Sequence, residues 1–311
     1  MATKLHFDVF RKSIDDRSFP MEKLGEYVEL DPESPVPKLK IIPDALLDSA
    51  PEDYNIDREI YKISREKEEE EYNQIEVFKF SGKQRIVAEG DSWFNLPPVI
   101  RPKAIADRMK SNGNYKVKNI AYWGHTIETM YSQKEYLEEI DRDRTDYFML
   151  SGGGNDLQNG LENEENSIIK QYDSDLQLDD YLTNKGDEIF NNIENKYRGI
   201  LTEITSNFPI IMTFCHGYDY PRPLVDGGKY IGQYLSRKNI PDDLMAPIMA
   251  EIIDKLNSVV SRVAQEYGDS VNYVNCRTVT EPYTWRDDMH PGSDGFKALA
   301  KKFESDIGTH A

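Results

Sequence analysis

The fold is decided by one stretch of sequence, Arg85-Ile-Val-Ala-Glu-Gly-Asp-Ser-Trp-Phe94. A short apolar run ends there at Gly90-Asp91-Ser92, where the strand-like pattern stops. This predicts a buried β-strand that delivers Ser92 to the carboxyl edge of a sheet, which is where α/β proteins bind their ligands. A second copy of the triplet, Gly268-Asp-Ser270, precedes an apolar run instead of following one, so we interpret it as a turn.

Apolar runs and amphipathic segments alternate from Gln84 onward. Such alternation is typical of a parallel sheet with helices on both faces and right-handed crossovers. We therefore predict an α/β protein with a flavodoxin-like, three-layer α/β/α fold and a five-stranded parallel sheet. The predicted strands are Arg85–Ala88, Tyr115–Ile120, Tyr147–Leu150, Ile210–Phe214 and Val271–Val274. The predicted helices cover about Ala104–Ser111, Ile127–Ile140, Lys185–Ser206, Asp242–Tyr267 and Ser293–Ile307.

Composition divides the chain into two parts. Residues 1–80 form a predicted N-terminal extension of irregular and helical structure, with five prolines between Pro32 and Pro51. The charged segment Asp57–Gln74 follows; it is interpreted as an exposed helix, or alternatively as an acidic interaction arm. Residues 81–311 form the predicted catalytic domain. Two long connections, about residues 157–184 and 216–241, leave from the predicted active edge, and we expect them to wall the substrate site.

Charge and hydropathy exclude several classes of protein. The formal net charge of −18 repels phosphate backbones and anionic membrane surfaces, so we predict no nucleic-acid partner. No run approaches the ~20 apolar residues that span a bilayer, so no stable membrane anchor is expected. Polar residues interrupt the first ten positions, so we expect no signal peptide and a cytoplasmic location. The pattern leaves the oligomeric state open.

Three side chains supply the parts of a site for acyl transfer. Ser92 is the candidate nucleophile, because a serine hydroxyl beside a base can attack a carbonyl. His290 is the candidate base, since an imidazole accepts and returns a proton near neutrality. Asp287 precedes it by three residues, at the spacing of one helical turn, and is its candidate partner; the spacing disfavours Asp288, the rival. The structural alternatives are a helix cap for Ser92 and a plain ion pair for Asp287 and His290.

Further candidates follow other predicted strands. Asn155 lies in the glycine-rich stretch Ser151-Gly-Gly-Gly-Asn-Asp156, and its amide could donate to the oxyanion of a tetrahedral intermediate. Gly124 follows the second strand and presents an N–H without a side chain in the way. The alternative at both positions is a simple turn, with Asp156 as a helix cap. Weaker candidates for substrate contact are Asp91, Trp93, His125, Gly154 and His216.

Together these stretches resemble the ordered motifs of the SGNH (GDSL-type) hydrolase superfamily. The matching stretches are Gly90-Asp-Ser-Trp93, with tryptophan where leucine is usual, Gly124, Gly153-Gly-Asn-Asp156 and Asp287-Asp-Met-His-Pro291. The resemblance covers about residues 84–306 and implies a triad of Ser92, His290 and Asp287. It also implies an oxyanion hole made by the N–H groups of Ser92 and Gly124 and the Asn155 side chain.

The predicted function is therefore that of a serine esterase or acyl hydrolase that needs no cofactor. No histidine and aspartate cluster has the spacing of metal ligands, so we predict no metal site. The expected substrate is a small-molecule, carbohydrate or lipid ester. A (lyso)phospholipase, lipase or thioesterase on the same triad, an acyltransferase, and a non-catalytic binding protein on the same scaffold remain alternatives. The Gly-x-Ser-x-Gly pentapeptide of the α/β-hydrolase fold does not occur in the chain.

Overall fold

The computed structural model describes residues 4–74, 82–99, 102–141, 144–224 and 227–309. Within those ranges the strands are β1 (Val28–Leu30), β2 (Leu39–Ile41), β3 (Gln84–Glu89), β4 (Tyr115–Asn119), β5 (Tyr147–Ser151), β6 (Met212–His216) and β7 (Val271–Val274). The α-helices are α1 (Phe7–Asp15), α2 (Ile56–Gln74), α3 (Ile105–Ser111), α4 (Ile127–Gln133), α5 (Glu135–Glu139), α6 (Gly154–Glu162), α7 (Asn184–Asn207), α8 (Gly232–Arg237), α9 (Asp242–Gln265) and α10 (Ser293–Gly308).

Five parallel strands form the central sheet, in the order β4-β3-β5-β6-β7. The connections run one way from β3 to β4 and the other way afterwards, so right-handed crossovers put helices on both faces. Every residue of β5 is buried, as a strand covered on both faces requires. The predicted flavodoxin-like α/β fold is confirmed. The point where the strand order reverses lies beside β3, the strand that leads to Ser92.

The predicted strands agree with the observed ones to within about two residues, whereas several helices differ. The predicted helix over Ile127–Ile140 is two helices, because the chain breaks at Lys134 with a left-handed φ of 57°. The predicted loop 157–184 is not purely irregular, since α6 runs to Glu162 and a 3₁₀ turn covers Leu178–Tyr181. The predicted loop 216–241 likewise contains α8.

The N-terminal extension folds around a core of its own. The strands β1 and β2 pair antiparallel, and the predicted helix over the charged segment is α2, which is not fully exposed because it buries Ile56, Asp57 and Ile60. The core buries Phe7, Phe10, Ile14, Phe19, Leu24, Tyr27, Val28, Leu39 and Ile60, together with Trp123 from the sheet domain. The extension therefore packs against the sheet domain through Trp123. The predicted boundary between residues 80 and 81 lies outside the described residues.

The two longest helices, α7 and α9, pack against each other beside the sheet. Each is amphipathic; α9 buries residues at three- and four-residue intervals, including Met245, Ile248, Met249 and Ile252. In the described ranges, no helix combines the length and apolar character that crossing a bilayer requires. Both helices therefore pack in the hydrophobic core, and residues of α9 also line the candidate site described below.

Candidate active site

Ser92 and His290 meet beyond the carboxyl end of β3. His290 Nε2 lies 2.8 Å from Ser92 Oγ, although 198 positions separate the two residues along the chain. Both residues are buried, with 2% of Ser92 and 1% of His290 exposed. The hydroxyl is therefore within hydrogen-bond reach of a base in a site that excludes most water, which is the geometry that proton transfer requires.

Asp287 holds the other side of the imidazole. Its Oδ1 and Oδ2 lie 2.9 and 3.1 Å from His290 Nδ1. Burial alone would raise the pKa of Asp287, but the neighbouring His290 and the hydrogen bonds to the carboxylate outweigh burial, so the pKa is lowered. An ionised carboxylate binds the Nδ1–H tautomer, and this leaves Nε2 as an acceptor for the Ser92 hydroxyl.

The segment that carries Asp287 and His290 is a bend and not the helical turn that the spacing predicts. Asp287 Oδ1 accepts the backbone N–H groups of Met289 at 3.0 Å and His290 at 2.7 Å. The Arg286 N–H donates to the His290 carbonyl at 2.9 Å, and α10 begins only at Ser293. The aspartate side chain thus folds the chain back on itself, as Asx turns do, and brings its carboxylate to the imidazole.

The carboxylate of Asp91 braces the turn that presents Ser92. It accepts the Trp93 N–H at 3.0 Å, the Ser151 hydroxyl at 3.0 Å and the Tyr218 hydroxyl. Burial raises the pKa of Asp91, and these donors partly offset that effect. Asp91 also lines the cavity beside Ser92, and both its oxygens accept hydrogen bonds from the protein; its contact with the substrate stays a prediction.

The two backbone N–H groups of the predicted oxyanion hole have no acceptor among the residues that the structure describes. Within the described part of the chain, neither the Ser92 N–H nor the Gly124 N–H makes a hydrogen bond. Gly124 lies in the segment Tyr122–His125, which we call the Gly124 loop. The Tyr122 N–H donates to the Gly90 carbonyl at 3.0 Å, and this bond ties the Gly124 loop to the turn before Ser92.

Asn155 binds the Gly124 loop with its side chain. Its Nδ2 donates to the Trp123 carbonyl at 3.1 Å and to the His125 carbonyl at 2.8 Å. An amide nitrogen carries two hydrogens, and both are used here. These contacts differ from the predicted ones, in which Asn155 offers a free N–H to an oxyanion. In the structure the Asn155 amide instead binds the carbonyls on either side of Gly124.

Asp288, the disfavoured rival of Asp287, has a separate set of partners. Its carboxylate accepts the backbone N–H groups of Tyr230, Ile231 and Gly232 at 2.5 to 3.1 Å. Burial raises the pKa of Asp288 to about 6, although these N–H groups act in the opposite direction. Tyr230 in turn contacts the His290 ring edge-on, at 5.6 Å between ring centres. Asp288 thereby anchors the long connection after β6 against the site, a role that only its two-residue proximity to His290 could have suggested.

A small apolar cavity opens beside Ser92. Its volume is about 40 Å³, and the predicted contact residues Trp93 and Gly154 help to line it. The apolar side chains around it are Leu157, Leu161, Ile231, Met249, Ile253 and Met289. They come from α6, α9, the connection around α8 and the segment that carries His290, so both long connections reach the site. The sequence offered no signal for the contribution of α9.

The predicted contact residues His125 and His216 lie outside this cavity. His216 is fully buried, and its ring packs against Trp93, Phe94 and Phe303. Burial lowers the pKa of His216 to about 4, which keeps the ring neutral. His125 Nδ1 lies 3.5 Å from the buried carboxylate of Glu89, and its ring faces a groove beside α2. Neither histidine lines the cavity beside Ser92, and their contact with the substrate stays a prediction.

Known proteins resemble this chain in sequence pattern and in fold. The family model described as GDSL-like Lipase/Acylhydrolase matches residues 93–303, a range that contains Asp287 and His290 and begins one residue after Ser92. A phospholipase A1 from Streptomyces albidoflavus NA297 is 15% identical over 72% of this chain and 99% of its own, with a TM-score of 0.51. An extracellular lipase from Streptomyces rimosus is 15% identical over 71% and 99%, with a TM-score of 0.46. An acetylxylan esterase from Geobacillus stearothermophilus is 16% identical over 72% and 94%, with a TM-score of 0.44. No curated protein matches the chain.

Proposed function

The chain belongs to the GDSL-like lipase/acylhydrolase family of ester hydrolases, and from this premise we propose that it works through an acyl-enzyme on Ser92. One observation carries the proposal: Ser92 Oγ lies 2.8 Å from His290 Nε2 in a buried site. A serine hydroxyl becomes an effective nucleophile when an adjacent base takes its proton. The imidazole of His290 is that base.

His290 transfers the proton, and the Asp287 carboxylate binds its Nδ1. As Ser92 Oγ attacks the ester carbonyl, its proton moves to Nε2, and the imidazolium then gives this proton to the departing alcohol. Water repeats the sequence on the acyl-enzyme, so the carboxylic acid leaves and the Ser92 hydroxyl is restored. The lowered pKa of Asp287 keeps its carboxylate ionised, and the negative charge stabilises the imidazolium that forms.

The oxyanion of the tetrahedral intermediate needs hydrogen-bond donors. The unpaired N–H groups of Ser92 and Gly124 supply two of them. Asn155 acts through Gly124, because its bonds to the Trp123 and His125 carbonyls fix the direction of the Gly124 N–H. This assignment replaces the prediction of three direct donors with two donors and one supporting amide.

The acyl group of the substrate fits the apolar cavity beside Ser92. The cavity of about 40 Å³ has apolar walls from α6, α9 and Ile231, just before α8. A cavity needs about 10–15 Å³ of such volume to hold one water molecule, so this cavity has room for a group of a few atoms. Acetyl and similarly short esters of small molecules or carbohydrates are therefore the substrate class that we assign, in preference to long-chain lipids.

Labelling with a fluorophosphonate tests the nucleophile. Wild-type protein should carry the label on Ser92, and Ser92→Ala should carry none. The kcat for an aryl acetate should fall by at least about 10³-fold in Ser92→Ala, because the remaining groups catalyse without a nucleophile. Thr213→Ala removes a buried hydroxyl on β6, away from the site, and serves as the control that keeps both label and activity. Full activity in Ser92→Ala would refute the mechanism.

A series of p-nitrophenyl esters tests the assignment of the acyl group. We expect kcat/KM to be highest for the acetate and to fall by about tenfold or more by the octanoate, because the longer chain cannot enter the cavity without displacing side chains. Met249→Ala widens the cavity and should shift the preference towards longer chains. A wild-type preference for octanoate, or an unchanged preference in Met249→Ala, contradicts the short-acyl assignment.

A further inference from the structure

A carboxylate of the N-terminal extension binds the loop that carries Gly124. Asp57 lies in the first turn of α2 and is 1% exposed. Its Oδ1 accepts the indole N–H of Trp123 at 3.0 Å and the backbone N–H of Leu39 at 2.8 Å. Its Oδ2 accepts the hydroxyl of Tyr122. One buried side chain of the extension thus holds both residues that precede Gly124.

Two more side chains of α2 bind the chain between β4 and the Gly124 loop. The Tyr61 hydroxyl donates to the Ile120 carbonyl at 3.0 Å, and its ring contacts the Tyr122 ring edge-on at 4.6 Å. Arg65 donates to the Asn119 carbonyl at 3.0 Å. The helix α2 therefore follows this segment from the end of the strand to Gly124, with Asp57 nearest the glycine.

The side chains that Asp57 holds also set the position of Gly124. A Cβ on Gly124 would lie 3.0 Å from the Tyr122 ring, so the ring packs directly against the glycine. On the other side, Asn155 binds the carbonyls of Trp123 and His125. Burial and the Asp57 carboxylate raise the pKa of Tyr122, so the phenol remains a donor at neutral pH. The position of the Gly124 N–H is therefore fixed from two sides: by Asn155, and by Asp57 through the side chains of Tyr122 and Trp123.

We propose that Asp57 is a positioning residue for ester hydrolysis, which makes the N-terminal extension part of the catalytic apparatus. The inference rests on the proposed function, because Asp57 acts through the Gly124 N–H as an oxyanion donor. Without the carboxylate, the Tyr122 and Trp123 side-chain donors lose their acceptor, and the loop keeps only the Asn155 bonds and the backbone bond from Tyr122 to Gly90. A displacement of about 1 Å at a reacting group can cost about 10²-fold in rate.

The test compares three variants at a temperature where all are folded. Asp57→Ala should lower kcat for p-nitrophenyl acetate by about 10- to 100-fold and change KM by less than about threefold, since the oxyanion forms only after binding. Asp57→Asn keeps an acceptor oxygen and should restore kcat to within about fivefold of wild type. Asp48→Ala is the matched control: Asp48 caps α1 in the same extension by accepting the Phe7 N–H, and its loss should leave kcat unchanged.

Binding of a methylboronic acid gives a second readout. The boronate becomes tetrahedral on a serine, so its inhibition constant should rise in Asp57→Ala by about the factor by which kcat/KM falls. A purely structural role for Asp57 would lower the melting temperature without this parallel loss. Equal kcat and boronate affinity in Asp57→Ala and Asp48→Ala overturn the inference.

If Asp57→Ala does not fold, Trp123→Phe tests the role of Asp57 in its place. It removes the indole N–H and keeps an aromatic ring, so kcat should fall while KM holds; unchanged kcat overturns the inference. Ser92→Ala, assayed beside these variants, separates this inference from the proposed function. An active Ser92→Ala refutes the mechanism itself, whereas an inactive Ser92→Ala with fully active Asp57→Ala and Trp123→Phe refutes only the role of Asp57.

Discussion

Asp287 and Asp288 are consecutive residues whose carboxylates face different partners. Asp287 binds the imidazole of His290, which helps to lower the pKa of this carboxylate. Asp288 binds three backbone N–H groups at Tyr230–Gly232, and burial raises its pKa to about 6. The two carboxylates therefore have separate contacts: one binds the imidazole of His290, and the other binds the segment that forms a wall of the cavity.

This division predicts unequal effects of the two matched amide substitutions. Asp287→Asn should lower kcat by about 10³- to 10⁴-fold, because the amide can donate to Nδ1 and so favour the wrong tautomer of His290. Asp288→Asn keeps one acceptor oxygen for the N–H groups at Tyr230–Gly232 and does not touch the imidazole. It should lower kcat by less than about tenfold, which corresponds to the loss of about one buried hydrogen bond. Steady-state assays with p-nitrophenyl acetate decide the point. A loss in Asp288→Asn as large as that in Asp287→Asn would show that the roles are misassigned.

The candidate nucleophile and base could be predicted because each has a local signature. Ser92 follows an apolar strand, and Asp287 precedes His290 by three residues. Asp57 and Tyr230 have no such signature, since their contacts depend on tertiary packing. Asp57 is 66 positions from Trp123, and Tyr230 is 58 positions from the Asp288 carboxylate that holds its N–H. An aspartate in a charged helix and a tyrosine in a loop look like surface residues until the fold is known.

At the scale of elements, the strands of the central sheet were predictable and the short helices were not. Buried parallel strands are nearly continuous apolar runs, which stand out in any sequence. The helix α6 begins in a glycine-rich, polar stretch, and α8 has only six residues. Helices this short draw their stability from packing and not from intrinsic propensity, so composition alone indicates a loop.

These short elements still form the walls of the cavity beside Ser92. Leu157 and Leu161 on α6 form one wall of the cavity beside Ser92, and Ile231, just before α8, forms another. Asp288 connects the second wall to the segment that carries His290. The central sheet provides the edge at which Ser92 and His290 meet, whereas the later connections form the walls of the cavity beside Ser92.

At the scale of the whole molecule, Trp123 links the sheet domain to the hydrophobic core of the N-terminal extension. It follows β4 in the sheet domain, yet its side chain is fully buried in the core of the N-terminal extension. Its indole N–H binds Asp57, and its carbonyl binds Asn155. The extension and the sheet domain therefore share one buried residue whose contacts reach from α2 to the candidate site.

This sharing predicts that the extension and the sheet domain unfold together. Calorimetry should show one transition for the wild type. Trp123→Ala should lower the free energy of unfolding of the whole molecule by about 3–5 kcal/mol, because it leaves a large cavity in the core of the extension, at the residue that the sheet domain contributes. Trp285→Ala is the matched control: Trp285 is partly exposed and packs against the sheet-domain core alone, so its loss should cost less. Separate transitions, with Trp123→Ala lowering only that of the extension, would mean that the two cores are energetically independent. A single transition would instead follow from the contacts that bind the Gly124 loop to Asp57 of the extension and to Asn155 of the sheet domain. Because both parts hold this loop, the unfolding of either part removes its native geometry.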